Sequence, residues 1–120
     1  MTWDEIVAYL LEFPSTELTT TWNMPAVKAG GVLVAWWRDA PDSPGSVAFK
    51  VAPDELEALL GDPDAPYYTI DHFRKFGTNA VLVRPGEADA DELRELLTDA
   101  WLAVAKPRVR KAWLAEHETR

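Results

Sequence analysis

Residues 67–83, YYTIDHFRKFGTNAVLV, alternate between residues suited to a core and residues suited to a ligand contact. Tyr67 to Ile70 reads as a short strand, Asp71 to Thr78 as a polar loop, and Asn79 to Arg84 as a strong strand rich in β-branched and aliphatic side chains. The loop brings His72, Arg74 and Lys75 between Phe73 and Phe76. Two strands joined by a loop of this composition predict a sheet with a chemically distinctive edge of chain beside it.

Upstream, Ala26 to Arg38 predicts a β-hairpin: Gly30-Gly31 supplies the positive φ angles of a tight turn, and Val32 to Trp37 leaves it. Trp36 and Trp37 are neighbours, so a strand directs them to opposite faces of the sheet. Tryptophan is buried on average, which predicts burial for both. If helices cover a single face, one of the two must be exposed or covered by another segment. Arg38 to Ser46 (RDAPDSPGS) is predicted as an irregular loop, followed by a strand over Val47–Val51. In that strand Val47, Phe49 and Val51 share one face, and Ala48 and Lys50 the other. Pro53 suits the first position of a short helix that Asp54 and Glu55 favour through its dipole, with Leu56, Leu59 and Leu60 inward and Gly61 as its stop.

At the N-terminus, Thr2 and Glu5 have capping-box spacing, and Trp3, Ile6, Val7, Leu10 and Phe13 form one helical stripe that Pro14 ends. Ser15 to Asn23, rich in threonine, is predicted as a polar connector. Beyond the Pro85-Gly86 turn, Asp89 is the predicted N-cap of the longest helix, with Glu92 three residues on. Leu93, Leu96, Leu97, Ala100, Trp101 and Val104 mark its buried face. Pro107 restarts a last helix carrying Val109, Ala112 and Trp113 on one side. No internal repeat or low-complexity tract appears, so residues 1–120 form one predicted domain. Hairpin connections flanked by terminal helices predict an α+β two-layer sandwich: a mainly antiparallel sheet with the N- and C-terminal helices on one face.

The chain has 120 residues and a net charge of −8. Residues 1–105 carry 7 basic and 18 acidic side chains, whereas residues 106–120 carry Lys106, Arg108, Arg110, Lys111 and Arg120 against Glu116 and Glu118. An acidic body repels phosphate backbones, which disfavours generic coating of DNA and requires any nucleic-acid contact to use a local basic patch. There is no cysteine, which removes disulfides, thiolate nucleophiles and cysteine-based zinc sites and suits a reducing cytoplasm. Asp4 and Glu5 stand where a signal peptide carries positive charge, and no apolar run approaches a membrane span. A cytoplasmic protein without a membrane partner is expected.

Catalytic chemistry finds little footing. His72 and His117 are 45 residues apart with no HxxxH or HExxH spacing, so no metal site is predicted. No GxSxG, GxGxxG or GxxxxGK[ST] motif is present, so neither an enzymatic nucleophile nor a nucleotide cofactor is expected. His117, near the C-terminus, is expected to face water. Acidic clusters at residues 54–57 and 89–92 sit at helix starts, where capping and dipole effects account for them. What remains are two basic clusters, His72/Arg74/Lys75 among aromatics and Lys106/Arg108/Arg110/Lys111 at a helix start. The first interleaves cation and ring as phosphate and base contacts require. The second opposes its own helix dipole, and a bound anion would relieve it. The bland reading of either cluster is a solvated face paired with the protein's own carboxylates.

Several segments in order resemble the MmcQ/YjbR family of small bacterial proteins. They are Trp22-Asn23-Met24-Pro25-Ala26-Val27-Lys28, His72-Phe73-Arg74-Lys75, Ala80-Val81-Leu82-Val83-Arg84, Asp91-Glu92-Leu93, Ala100-Trp101 and Lys106-Pro107-Arg108-Val109. Val27 stands where the family commonly has an aromatic, and Lys106-Pro107-Arg108 permutes its usual break before the last helix. The resemblance implies a sandwich similar to the frataxin (CyaY-like) arrangement, a DNA-binding label and no established enzymatic activity. It marks Lys28, His72, Arg74, Lys75, Lys106 and Arg108 as contact candidates.

Three roles follow as expectations. The first is a non-enzymatic module contacting DNA through residues 72–75 and 106–111. The second is a protein-interaction domain using an exposed Trp36 or Trp37 and the acidic surface. The third is a small-molecule pocket lined by Trp22, Trp36 or Trp37 and Tyr68, with His72 as its polar group.

Overall fold

Thr2 and Glu5 act as their spacing predicts. In a computed structural model describing residues 1–118, the Thr2 hydroxyl accepts the Glu5 N–H at 3.2 Å and the Glu5 carboxylate accepts the Thr2 N–H at 2.9 Å. These bonds, the one to the Thr2 backbone foremost, hold the Glu5 carboxyl below its ordinary pKa. They start helix α1 (Trp3–Leu10), which buries Ile6, Val7 and Leu10. Asp89 caps the long helix α4 (Ala90–Val104) with its carboxylate accepting the Glu92 N–H at 2.9 Å, but the capping box is half-formed, because the Glu92 carboxylate accepts from the Tyr67 hydroxyl instead.

Five strands run β1 (Thr16–Thr21), β2 (Met24–Ala29), β3 (Val32–Ala40), β4 (Ser43–Lys50) and β5 (Ala80–Val83). They lie in sequence order in one sheet, every neighbouring pair antiparallel. Helix α2 (Pro53–Leu60) and helix α3 (Asp71–Lys75) fall between β4 and β5, and α5 (Pro107–Glu118) closes the chain. The α+β sandwich predicted from the pattern is the architecture observed. Helices α1 and α4 lie on one face of the sheet, where Ile6, Leu10, Leu93, Leu97 and Trp101 meet Val27, Val47, Phe49, Val81 and Val83. A register shift opposite Val27/Lys28 lets both Val34 and Ala35 face this core.

Trp36 and Trp37 do point to opposite faces, and neither is exposed. Trp37 packs under the helices with its ring 6.2 Å from that of Trp3, and Trp36 belongs to a separate cluster on the outer face. The expectation of an interaction surface built on an exposed Trp36 or Trp37 is therefore corrected: Trp22 is the tryptophan in solvent, 71% exposed.

Five local expectations change. The threonine-rich Ser15–Asn23 connector contains strand β1, because β-branched threonine favours a pleated edge and pairs in continuous register from Thr16–Ala29 to Thr21–Met24. The Arg38–Ser46 loop is largely strand, turning at Pro41-Asp42. Side chains hold it: the Asp39 carboxylate accepts the Gly45 N–H at 2.8 Å, and the buried Ser43 and Ser46 hydroxyls donate to backbone carbonyls. Tyr67–Ile70 makes only one bridge, Tyr68 to Leu82, so it is not a full strand. The Asp71–Thr78 loop opens with helix α3. The leucines of α2 are half-buried at the margin of the main core rather than inside it.

Tyr67 ties the sheet to α4, donating its hydroxyl to Glu92 Oε1 at 2.7 Å and meeting Phe49 edge-on. Burial, then the Glu92 hydrogen bond and charge, push the phenol well above its ordinary pKa of 10.0. Because the folded form keeps this proton at pH values where an unfolded chain releases it, the contribution is complete below about pH 10 and is lost as pH rises beyond it. Tyr67→Phe should cost about 1 kcal/mol at neutral pH. The variant should then show a shallower loss of stability than the parent in urea titrations above pH 10; parallel curves would refute the assignment.

Candidate functional site

The outer face of the sheet is where alternation places chemistry. Opposite the helices, Ala26, Trp36, Ala48 and Leu82 form a flat apolar floor, and the segment Ile70–Thr78 lies across part of it. Ile70 and Phe73 are the buried anchors of that segment, Phe73 with its ring 6.0 Å from Trp36. The uncovered part is a groove of about 440 Å³. Trp36, Phe73, Leu33 and Met24 line its apolar part, Trp22 one rim and His72 with Thr78 another. Arg38 and Lys50 supply its charge, and among the described residues no carboxylate lines it. In a chain with a net charge of −8, that local composition makes the groove a cationic, aromatic recess.

Its cations are not equivalent. Arg38 donates to Asp42 Oδ1 at 2.5 Å and to the Ser43 hydroxyl, and its guanidinium lies 5.6 Å from the Phe73 ring centre. The hydrogen bond from Arg38 holds the Asp42 carboxyl below its usual range. Arg74 has Glu57 at 3.9 Å, with both side chains in solvent, a pairing of little energetic weight. Lys50 lies 5.9 Å from the Trp36 ring and Lys75 5.6 Å from Phe76. Among the described residues, neither lysine has a carboxylate within ion-pair distance. Self-pairing therefore ties up Arg38, while Lys50 and Lys75 have no carboxylate partner among the described residues.

Exposed aromatics flank the groove. Phe76 is 64% exposed and its ring centre is 4.8 Å from the His72 ring. Trp22 meets Trp36 edge-on at 6.3 Å. Trp22 and Asn23 are the central residues of a two-residue turn between β1 and β2, with φ of 50° and 62°. Such a turn calls for glycine, asparagine or aspartate; a bulky side chain there costs roughly 1–2 kcal/mol.

Of the residues singled out from sequence, the structure brings Trp22, Trp36 and His72 into the groove, and Arg74 and Lys75 onto the helix beside it. Lys28 is on the same outer face, opposite Leu33 and Glu17, but does not line the groove. Tyr68 faces outward beside it with its hydroxyl bonded to that of Ser46. Trp37 is on the far side of the sheet. Lys50 and Arg38 were missed as contact residues, although the alternation of β4 sets Lys50 opposite to Phe49.

The second basic cluster lies elsewhere. Helix α5 packs through Val109 and Trp113 against the helix-side core, so this cluster and the groove are on opposite faces of the sheet. Lys106 lies against Gly30 of the β2–β3 turn, and Arg110 donates to the Leu102 carbonyl at 3.0 Å, closing the end of α4. Arg108 and Lys111 are exposed, and Arg120 lies outside the described residues. His117, expected in water, is half-buried: its ring stacks on Trp113 at 3.8 Å and its Nδ1 is 2.7 Å from the Trp113 carbonyl.

Among the described residues no three His, Asp or Glu side chains gather as metal ligands would, and no helix is long and apolar enough to cross a membrane. Comparison with known proteins gives a match to the YjbR family model over residues 11–103. The chain is also 30% identical, over 126 residues, to uncharacterized proteins of Mycobacterium tuberculosis and Mycobacterium bovis, covering 95% of this chain and 96% of each relative.

Proposed function

The chain belongs to the YjbR family, and from that premise we propose that it is a non-enzymatic, cytoplasmic binding module whose outer sheet face contacts nucleic acid. The observation that carries this reading is the groove: Lys50 lies over the buried Trp36 ring with the exposed Trp22 at the rim, and among the described residues no carboxylate lines it. Lys75 stands beside the groove on α3, next to the exposed Phe76 ring. Phosphates would take the lysine charges and bases the aromatic faces, a division of labour general to nucleic-acid binding. His72 sits at the rim, where its ring nitrogens can serve as hydrogen-bonding groups. A free small anion bearing a flat ring is the second reading, favoured by a volume within the usual range of ligand pockets.

Titration of the intact protein with short labelled oligonucleotides tests the proposal. Contact with about three phosphates predicts that log K falls against log salt with a slope near −2 for single strands. Joint charge reversal at Lys50 and Lys75 should abolish binding, whereas reversal at Arg108 and Lys111, on the opposite face, should leave it intact. The opposite pattern would move the interface to α5, and no binding at low salt would discard the nucleic-acid reading.

A further inference from the structure

Trp22 is a side chain that folding alone does not explain. Its φ of 50° lies in the left-handed region, where a large residue is strained and glycine is free. Burial does not offset that strain, because Trp22 is 71% exposed and its ring meets that of Trp36 only edge-on. Its neighbour Asn23, at φ 62°, is the residue such a turn prefers. A strained backbone that projects a broad aromatic surface into solvent, over a groove carrying free lysine charge, has the form of a preorganised stacking platform.

We propose that Trp22 stacks on an unpaired base, so that the groove takes single-stranded nucleic acid and not duplex. The inference rests on the nucleic-acid reading above and makes it specific. Bases in a duplex hide their flat faces in the stack and offer only edges, while a single strand can lay a face on an indole. The turn fixes Trp22 at the rim, Trp36 forms the floor, and Lys50 lies 5.9 Å from the Trp36 ring, within reach of a phosphate flanking the stacked base. His72 and Phe76, 4.8 Å apart, offer a second ring surface on the α3 side for a neighbouring base.

The test compares a labelled single-stranded oligothymidylate with a duplex of equal length, by fluorescence anisotropy at low salt, for the parent, Trp22→Gly and Trp22→Phe. The parent should bind the single strand at least tenfold more tightly than the duplex. Trp22→Gly should weaken single-strand binding by about tenfold or more while its melting temperature stays level or rises, since glycine relaxes the turn. Trp22→Phe should retain much of the binding through its remaining ring. If Trp22→Gly binds the single strand within twofold of the parent, or the parent binds duplex equally well, the stacking role is overturned while the nucleic-acid reading stands. If the parent binds neither, both fall together.

Discussion

Trp101→Ala should lose about 4 kcal/mol and lower the melting temperature by roughly 15 °C. Trp101 is fully buried and carries two loads at once. Its ring lies 5.1 Å from Phe13 and 5.5 Å from Trp113, so it joins α4 to the end of the first helical segment and to α5. Its indole N–H also donates to the Pro14 carbonyl at 3.1 Å, fixing the chain as it turns into β1. Truncation would open a cavity the size of an indole and leave that carbonyl without its partner. Against a typical domain stability of about 5–15 kcal/mol, this is a large fraction of the total. Trp101→Phe, which keeps most of the volume and loses the donor, should cost about 1–2 kcal/mol. Urea denaturation of the two variants measures both terms. A cost below about 2 kcal/mol for the alanine variant would mean that Phe13 and Trp113 close over the gap.

Phe73→Ala should cost about 3 kcal/mol, and its consequence should be local before it is global. Residues 70–78 cross the outer face with two buried side chains, Ile70 and Phe73, and Phe73 also carries the Arg38 guanidinium over its ring. The backbone of the segment is tied mostly to itself, as in the 2.9 Å bond from the Thr78 N–H to the Phe73 carbonyl. Five helical residues have no stability of their own. Without the phenyl ring, amides of residues 73–78 should exchange far faster than those of β3 and β4. His72 would leave the groove, and Lys75 its place beside it, so ligand binding should fall even where the sheet stays folded. Uniform acceleration across sheet and segment would show that α3 is part of the main cooperative unit.

These two residues also mark how far the sequence could be read. Thr2 with Glu5, Asp89 with Glu92, the Gly30-Gly31 turn and the leucine stripe of α4 are local signals whose physics acts within four residues, and each produced the element its spacing predicts. The opposed faces of Trp36 and Trp37 followed from strand geometry alone. Strand β1 and helix α3 did not follow: the threonines of TELTTT suit a strand but become one only because β2 offers a hydrogen-bonding edge, and DHFRK is a helix because Phe73 finds Trp36 beneath it. The same holds for the groove. Trp22, Lys50 and His72 are spread over fifty residues, and their chemistry becomes one site only when strand pairing sets them on a common face. The pairing of Arg38 with Asp42, which sets it apart from Lys50 in the same groove, likewise depends on distances in the fold. By itself the sequence determined the capped helices, the central hairpin, the two-layer class and the acidic body with basic islands. The tertiary structure decided which islands share a face and which tryptophan meets solvent, because those depend on contacts between segments that no local pattern encodes.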